Sequence, residues 1–147
     1  MSAASLKSFA YPGLGEWARD NLGYMQAIRV GDRIECSGQG GWDPDSQVPK
    51  FSENITEEIE QAFANVDRTI RHAGGRGWTQ VYRVNSYHLE LTPEVTAAMT
   101  AGFKKWMPDH KPIWTQVGVR QLGAPGMRVE IEVVALDSRG DERTCAV

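Results

Sequence analysis

Arg128-Val129-Glu130-Ile131-Glu132-Val133-Val134-Ala135-Leu136 is the stretch that decides the fold. Successive side chains of an extended chain point to opposite faces, so Val129, Ile131, Val133 and Ala135 share one face, and Arg128, Glu130, Glu132 and Val134 the other. The first face is aliphatic and needs a covering layer. The second is mixed, not simply wet. The segment from Ile113 to Gln121 reads the same way, with Ile113, Thr115, Val117 and Val119 on the covered face and Trp114, Gln116, Gly118 and Arg120 opposite. Gly123 to Gly126 turns the chain between the two strands. A broad sheet face that sets Trp114 and Val134 among charges suits a subunit contact or a ligand. A solvated face with one stray tryptophan is the plainer alternative.

Two helices supply the cover. From Thr56 to His72, Ile59, Ala62, Phe63, Val66 and Ile70 recur at three- and four-residue steps, and Ile55 extends the stripe. Asn54 or Thr56 can cap the free amides, Glu57 and Glu58 suit the positive end, and Gly74-Gly75 stops the helix after Arg71 and His72. Thr92-Pro93 starts the second helix, which runs to about Trp106 with Val95, Ala98, Met99, Gly102 and Phe103 on its apolar side, and Pro108 ends it. Met99 and Trp106 are expected in the core. Trp78 to Leu89 forms a long strand between the helices, and Tyr24 to Val30 with Arg33 to Ser37 forms a hairpin around Gly31-Asp32. The order β-β-α-β-α-β-β defines an α+β domain with both helices on one face of a mixed sheet.

These elements place a single domain at 23–137, an N-terminal arm at 1–22 and a tail at 138–147. Pro12, Gly13 and Gly15 interrupt any regular period in the arm, which is expected to be ordered only in part, with Trp17 as its anchor.

Composition narrows the function. The chain has 147 residues, 41% hydrophobic, with a formal net charge of -3. That charge supplies no broad cationic field for a phosphate backbone, so nucleic acid is not the expected partner. The first eleven residues lack the apolar core of a secretory signal and no stretch reaches membrane-spanning length, so a cytoplasmic protein without a membrane partner is expected. Cys36 and Cys145 make no disulfide framework and are read as free thiols. Asn54-Ile55-Thr56 fits a glycosylation pattern that matters only in a secreted chain. Gly38, Gly40 and Gly41 are not followed by the Lys-Ser/Thr of a phosphate-cradling loop. His72, His88 and His110 lack the spacing of metal ligands, and neither cysteine is tied to a histidine by sequence.

Three motifs in order, with the two helices between them, carry a resemblance. They are Gly23-Tyr24-Met25-Gln26-Ala27 running into Val30-Gly31-Asp32, then Ser37-Gly38-Gln39, then Val129 to Ala135. Together they resemble the RidA/YjgF family, also labelled L-PSP endoribonucleases, over about residues 23 to 137. The resemblance implies a chorismate-mutase-like fold and a homotrimer whose sheets line a central barrel, with small-molecule clefts at the subunit boundaries. It also implies hydrolysis of reactive enamines or imines to carbonyl compounds and ammonia, with no metal or bound cofactor.

The family's carboxylate-binding arginine stands in a Pro-x-Arg segment, which here reads Pro112-Ile113-Trp114. Tyr24 and Glu130 match the family's catalytic tyrosine and glutamate, and Ser37, Gly38, Trp114 and Gln116 match its binding positions. A packing tyrosine and a solvent-facing strand glutamate are the plainer roles for Tyr24 and Glu130. Arg128, on the neighbouring strand, is the candidate replacement for the missing cation. Arg120 shares Trp114's expected face but lies on the order of 20 Å further along the strand. Two functions fit: an imine or enamine deaminase with an altered substrate class, and a noncatalytic small-ligand-binding or interaction protein on the same scaffold. Ribonuclease activity fits less well, because no basic track or phosphodiester-cleaving acid–base pair is evident.

Overall fold

The computed structural model describes residues 6–138. The expected β-β-α-β-α-β-β series is present as β2 (Ala27–Val30), β3 (Arg33–Cys36), α2 (Ile55–His72), β5 (Val81–His88), α3 (Pro93–Trp106), β6 (Ile113–Gly118) and β7 (Val129–Leu136). Ahead of it come β1 (Lys7–Phe9) and α1 (Leu14–Leu22), and the two-residue β4 (Gln39–Gly40) follows β3. A short 3-10 turn, Gly77–Gln80, takes the first residues expected in the long strand, which therefore begins at Val81. The sheet runs β1-β2-β3-β7-β5-β6, with β4 pairing β7 alongside β3. Among the described residues only β5 and β6 pair in parallel; the other pairings are antiparallel.

The caps explain the helix boundaries. Asn54 Oδ1 accepts the Thr56 and Glu57 amides at 2.9 and 3.1 Å, and Thr92 Oγ1 accepts the Val95 amide at 3.2 Å above Pro93. Each cap satisfies amides that the first helical turn leaves without a partner. Helix α2 buries Ile59, Phe63, Val66 and Ile70 against Val129, Ile131, Val133 and Ala135 of β7, the aliphatic face expected from the alternation. Trp78 closes this core, donating Nε1–H to the Phe63 carbonyl at 2.8 Å.

The interruptions expected at Pro12, Gly13 and Gly15 do not prevent regular structure. Gly13, at φ 88°, makes the turn that a side chain would strain, and α1 starts directly after it. Tyr11, Leu14, Trp42 and Met127 form a second buried cluster, against which Trp17 and Phe51 pack. Arg68 of α2 lies 5.5 Å over the Tyr11 ring. Cys145 and the tail from 139 fall outside the described residues.

One strand is reversed relative to expectation. In β6 it is Ile113, Thr115 and Val117 that are exposed, with Ile113 59% and Val117 37% accessible, while Trp114 and Gln116 turn towards the helices. The register sets this: Trp114 lies beside Val84 and Gln116 beside Ser86, both on the side of β5 that shares the face of Val133 and Ile131. Helix α3 offers only Val95 and Met99 as fully buried residues, so a large ring is needed beneath it. Trp114 fills that space edge-to-face against Phe103, ring centroids 4.9 Å apart.

Buried ion pairs tie the layers together. Arg128 donates its backbone N–H and Nε–H to the two oxygens of Glu58, at 2.9 and 3.0 Å, and a terminal nitrogen to the Ser52 and Glu53 carbonyls. Glu58 is wholly buried. Arg29 likewise donates to Asp137 at 2.6 Å and to the Ala73 carbonyl at 2.8 Å. Removing one member of such a pair strands the other without its counter-charge. Arg128→Ala is expected to lower stability by about 3 kcal/mol in denaturant unfolding, whereas Arg19→Ala, whose partner Asp20 is solvent-exposed, should leave the unfolding midpoint close to the wild-type value.

Candidate functional site

The site grows from the Ser37-Gly38-Gln39 loop. Ser37 donates its amide and hydroxyl to the Gln26 carbonyl at 2.9 and 3.2 Å. Gln39, fully buried, donates Nε2–H to Gln26 Oε1 at 2.8 Å and accepts the Tyr11 hydroxyl at 3.0 Å. Tyr11 in turn accepts the Trp42 indole N–H at 2.9 Å. Burial pushes the Tyr11 phenol above its ordinary range, with the Trp42 bond acting against the shift and the neighbouring Tyr24 adding to it. This chain of satisfied buried groups makes the loop rigid from behind.

In front of the loop stands Glu130. It pairs with Gly40 on one side and Tyr87 on the other, and its side chain lies on the open face. A Cβ at Gly38 would overlap its carboxylate, so only glycine permits this approach. Burial, with the nearby charge of Glu132, pushes the Glu130 carboxyl above its ordinary value. Glu132, two residues on, is treated differently. It accepts a very short hydrogen bond from the Tyr87 hydroxyl and another from Asn85 Nδ2 at 3.2 Å. Donation to Glu132 pushes the Tyr87 phenol up to about 12. Glu132 thus has two hydrogen-bond donors, while Glu130 is partly desolvated and takes a proton more readily. Two such environments side by side can divide acid and base roles.

The structure sorts the residues singled out from sequence. Gly38 and Glu130 are in contact, and Ser37 adjoins them. Tyr24 is 38% exposed, beyond the left-handed Gly23 that ends α1. Trp114 and Gln116, expected on the face of Glu130, are on the opposite one. There Trp114 donates Nε1–H to Ser86 Oγ at 2.9 Å, and Gln116 approaches Thr96 and His88 at 3.4 Å each. Arg128, expected as a substitute cation, is committed to Glu58. Arg120 is exposed and lies past the end of β6 at Gly118. Asn85 and Tyr87 were missed as site residues, although the alternation of β5 carries the signal: Arg83, Asn85 and Tyr87 oppose Val84, Ser86 and His88.

Comparison with known proteins agrees with the motifs. The Endoribonuclease L-PSP family model matches residues 19–137. The mitochondrial protein mmf2 of Schizosaccharomyces pombe is 30% identical over 116 residues, covering 78% of this chain and 87% of that protein. A RutC family protein of Aquifex aeolicus is 31% identical over 115 residues, covering 77% of this chain and 87% of its own. The crystal structure of RidA from an Antarctic Psychrobacter superimposes with a TM-score of 0.68 at 29% identity, over 77% of this chain and 87% of that one. This chain therefore belongs to the RidA/YjgF (L-PSP) family as a divergent member. No helix among the described residues is long and apolar enough to cross a membrane.

Behind the sheet, His88 is buried, with Nε2 2.9 Å from Ser86 Oγ and Nδ1 without a hydrogen-bond partner among the described residues. Burial pushes its pKa from 6.5 down to about 4. An imidazole kept neutral in the fold but protonated in the unfolded chain contributes stability that is complete above pH 6.5 and is lost as the pH falls towards 4. The raised Glu130 carboxyl works in the opposite sense, so the comparison must be between wild type and a variant. Against His88→Gln, the wild type is expected to lose about 3 kcal/mol more stability between neutral and acid pH. Urea unfolding at a series of pH values reads this, and parallel profiles would refute it.

Proposed function

We propose that the chain is a hydrolase of small reactive imines or enamines, working as a homotrimer in clefts where the open sheet face of one copy meets another. The observation that carries the reading is Glu130, half-buried over Gly38 with its carboxyl held above the ordinary range. A carboxylate so placed can orient water against the electrophilic carbon and take its proton. The imine nitrogen gains a proton, the C–N bond breaks, and a carbonyl compound and ammonia leave. Tyr24 and the Ser37-Gly38 backbone border the reacting group, and Ile113 and Val117, exposed on the open face, support contact with a second copy.

The substrate class follows from the cations. Trp114 occupies the family's arginine position and turns to the helices, Arg128 is held by Glu58, and Arg120 lies beyond the strand. A substrate carboxylate would be desolvated without a partner, at a cost of several kcal/mol. The preferred substrate is a neutral imine or enamine. Arg83, exposed on the same face, lies four residues along β5 from Tyr87, the residue opposite Glu130, on the order of 13 Å away, and this lack of a cation beside Glu130 favours a second reading, in which the pocket binds a neutral metabolite without turnover. The ribonuclease chemistry in the family's label lacks support from a net charge of -3.

Freshly generated neutral and carboxylated imines, followed by ammonia release, separate these readings. The neutral series should be hydrolysed faster than its carboxylated counterpart, and Glu130→Gln should lower kcat by about a hundredfold with little change in binding. Ammonia release at the uncatalysed rate for both series would leave the binding reading alone. Sedimentation at micromolar concentration is expected to return a trimer; a stable monomer would remove the cleft.

A further inference from the structure

On the other face of the sheet from Glu130, a groove of about 680 Å³ runs between the end of α3, the turn that follows it and the start of β6. Its size lies within the range of small-molecule sites. Phe103 and Trp114 line it and remain only partly buried. The Trp114 indole is fixed by two contacts, its N–H bonded to Ser86 Oγ at 2.9 Å and its ring set edge-to-face on Phe103. With its donor already used, the ring offers the groove a preorganised apolar surface suited to a flat partner. Met107 and Pro112 extend the apolar lining.

The charges around this surface are unequal. Lys104, from the last turn of α3, and Lys111, from the turn, both border the groove, against one carboxylate, Asp109. Both lysines are exposed, and among the described residues neither takes part in an ion pair. Lys105, next along the helix, differs in lying 5.5 Å over the Trp106 ring. His110 is used by the fold, its Nε2 lying 2.7 Å from the Val81 carbonyl, which a ring N–H there satisfies. A flat apolar wall with two uncommitted ammonium groups at its rim complements a planar ring bearing one negative charge.

We propose that this groove binds a small planar aromatic carboxylate, its ring against Trp114 and Phe103 and its carboxylate at Lys104 and Lys111. The site is built within a single copy of the chain and does not depend on the hydrolytic reading of Glu130. The occupant differs from the neutral substrate of the open face, so one subunit presents two sites, one for a neutral ligand and one for an anion.

Titration of the full chain with naphthoate and with the neutral naphthylmethanol, followed by the indole N–H resonances, tests the proposal. Naphthoate is expected to move the Trp114 indole signal, identified by its loss in Trp114→Phe, and to bind more tightly than the alcohol. The double variant Lys104→Ala/Lys111→Ala changes only exposed side chains; it should weaken naphthoate about fivefold to tenfold and leave the alcohol unchanged. Equal affinity for the two probes, an unmoved Trp114 signal, or indifference to the lysine substitutions would each overturn it. Glu130→Gln should leave naphthoate binding intact even if it abolishes hydrolysis. Loss of naphthoate binding in that variant would assign the probe to the open face and overturn the groove.

Discussion

The pairing of Arg128 with Glu58 is the constraint on which the rest of the architecture depends. Glu58 is a charge with no exposure to water, placed in the first turn of α2, and Arg128 answers it from the residue just ahead of β7. Gly41 has no side chain because its backbone lies directly on Glu58. About two turns further along α2, Asn65 donates to the carbonyls of Gly40 and Trp42, both at 2.8 Å. A helix that is apolar towards the sheet thus uses two buried polar residues to hold the start of β7 and the short β4. Those two segments set Glu130 against Gly38. The candidate site is a consequence of how α2 docks.

That dependence explains what could be read along the chain. The β7 alternation, the stripe of α2 and the Asn54 and Thr92 caps are local signals, and each matches the structure. The orientation of Trp114 is not local. Alternation sorts side chains into two sets without saying which set faces inward, and in β6 the aliphatic set is the outward one. Counting Val and Ile as core and Trp as surface fails where a thinly packed α3 needs a large ring. Arg128 failed for a related reason. Its partner lies 70 residues away, and nothing near either residue announces the pair. Glu58 was legible only as a favourable charge at a helix start; its neighbour Glu57, bonded to the Ser52 hydroxyl at 2.6 Å, keeps that exposed role.

Glu130 and Glu132 show how a sheet can give identical groups unlike surroundings. They share a strand, a face and a side-chain length. Across from Glu132, β5 supplies Asn85 and Tyr87 as donors, whereas Glu130 meets the bare backbone of Gly38. The difference arises from what stands on the neighbouring strands, which is why pairing register, not composition, governs the chemistry of the open face. Arg128, two residues ahead of Glu130, does not enter this balance because the fold has committed it to Glu58.

The strand order has a consequence for the birth of the molecule. β7 is the last described strand to leave the ribosome, yet it lies in the middle of the sheet, with β3 and β4 on one side and β5 on the other. Until it emerges, the hairpin of β2 and β3 and the parallel pair of β5 and β6 have no common partner, and α2 has only an incomplete surface to cover. Unpaired strand edges and an uncovered helix face are what nascent chains expose to aggregation and to chaperones. The central sheet therefore closes late, by contacts between residues far apart in sequence, and such closure is intrinsically slow.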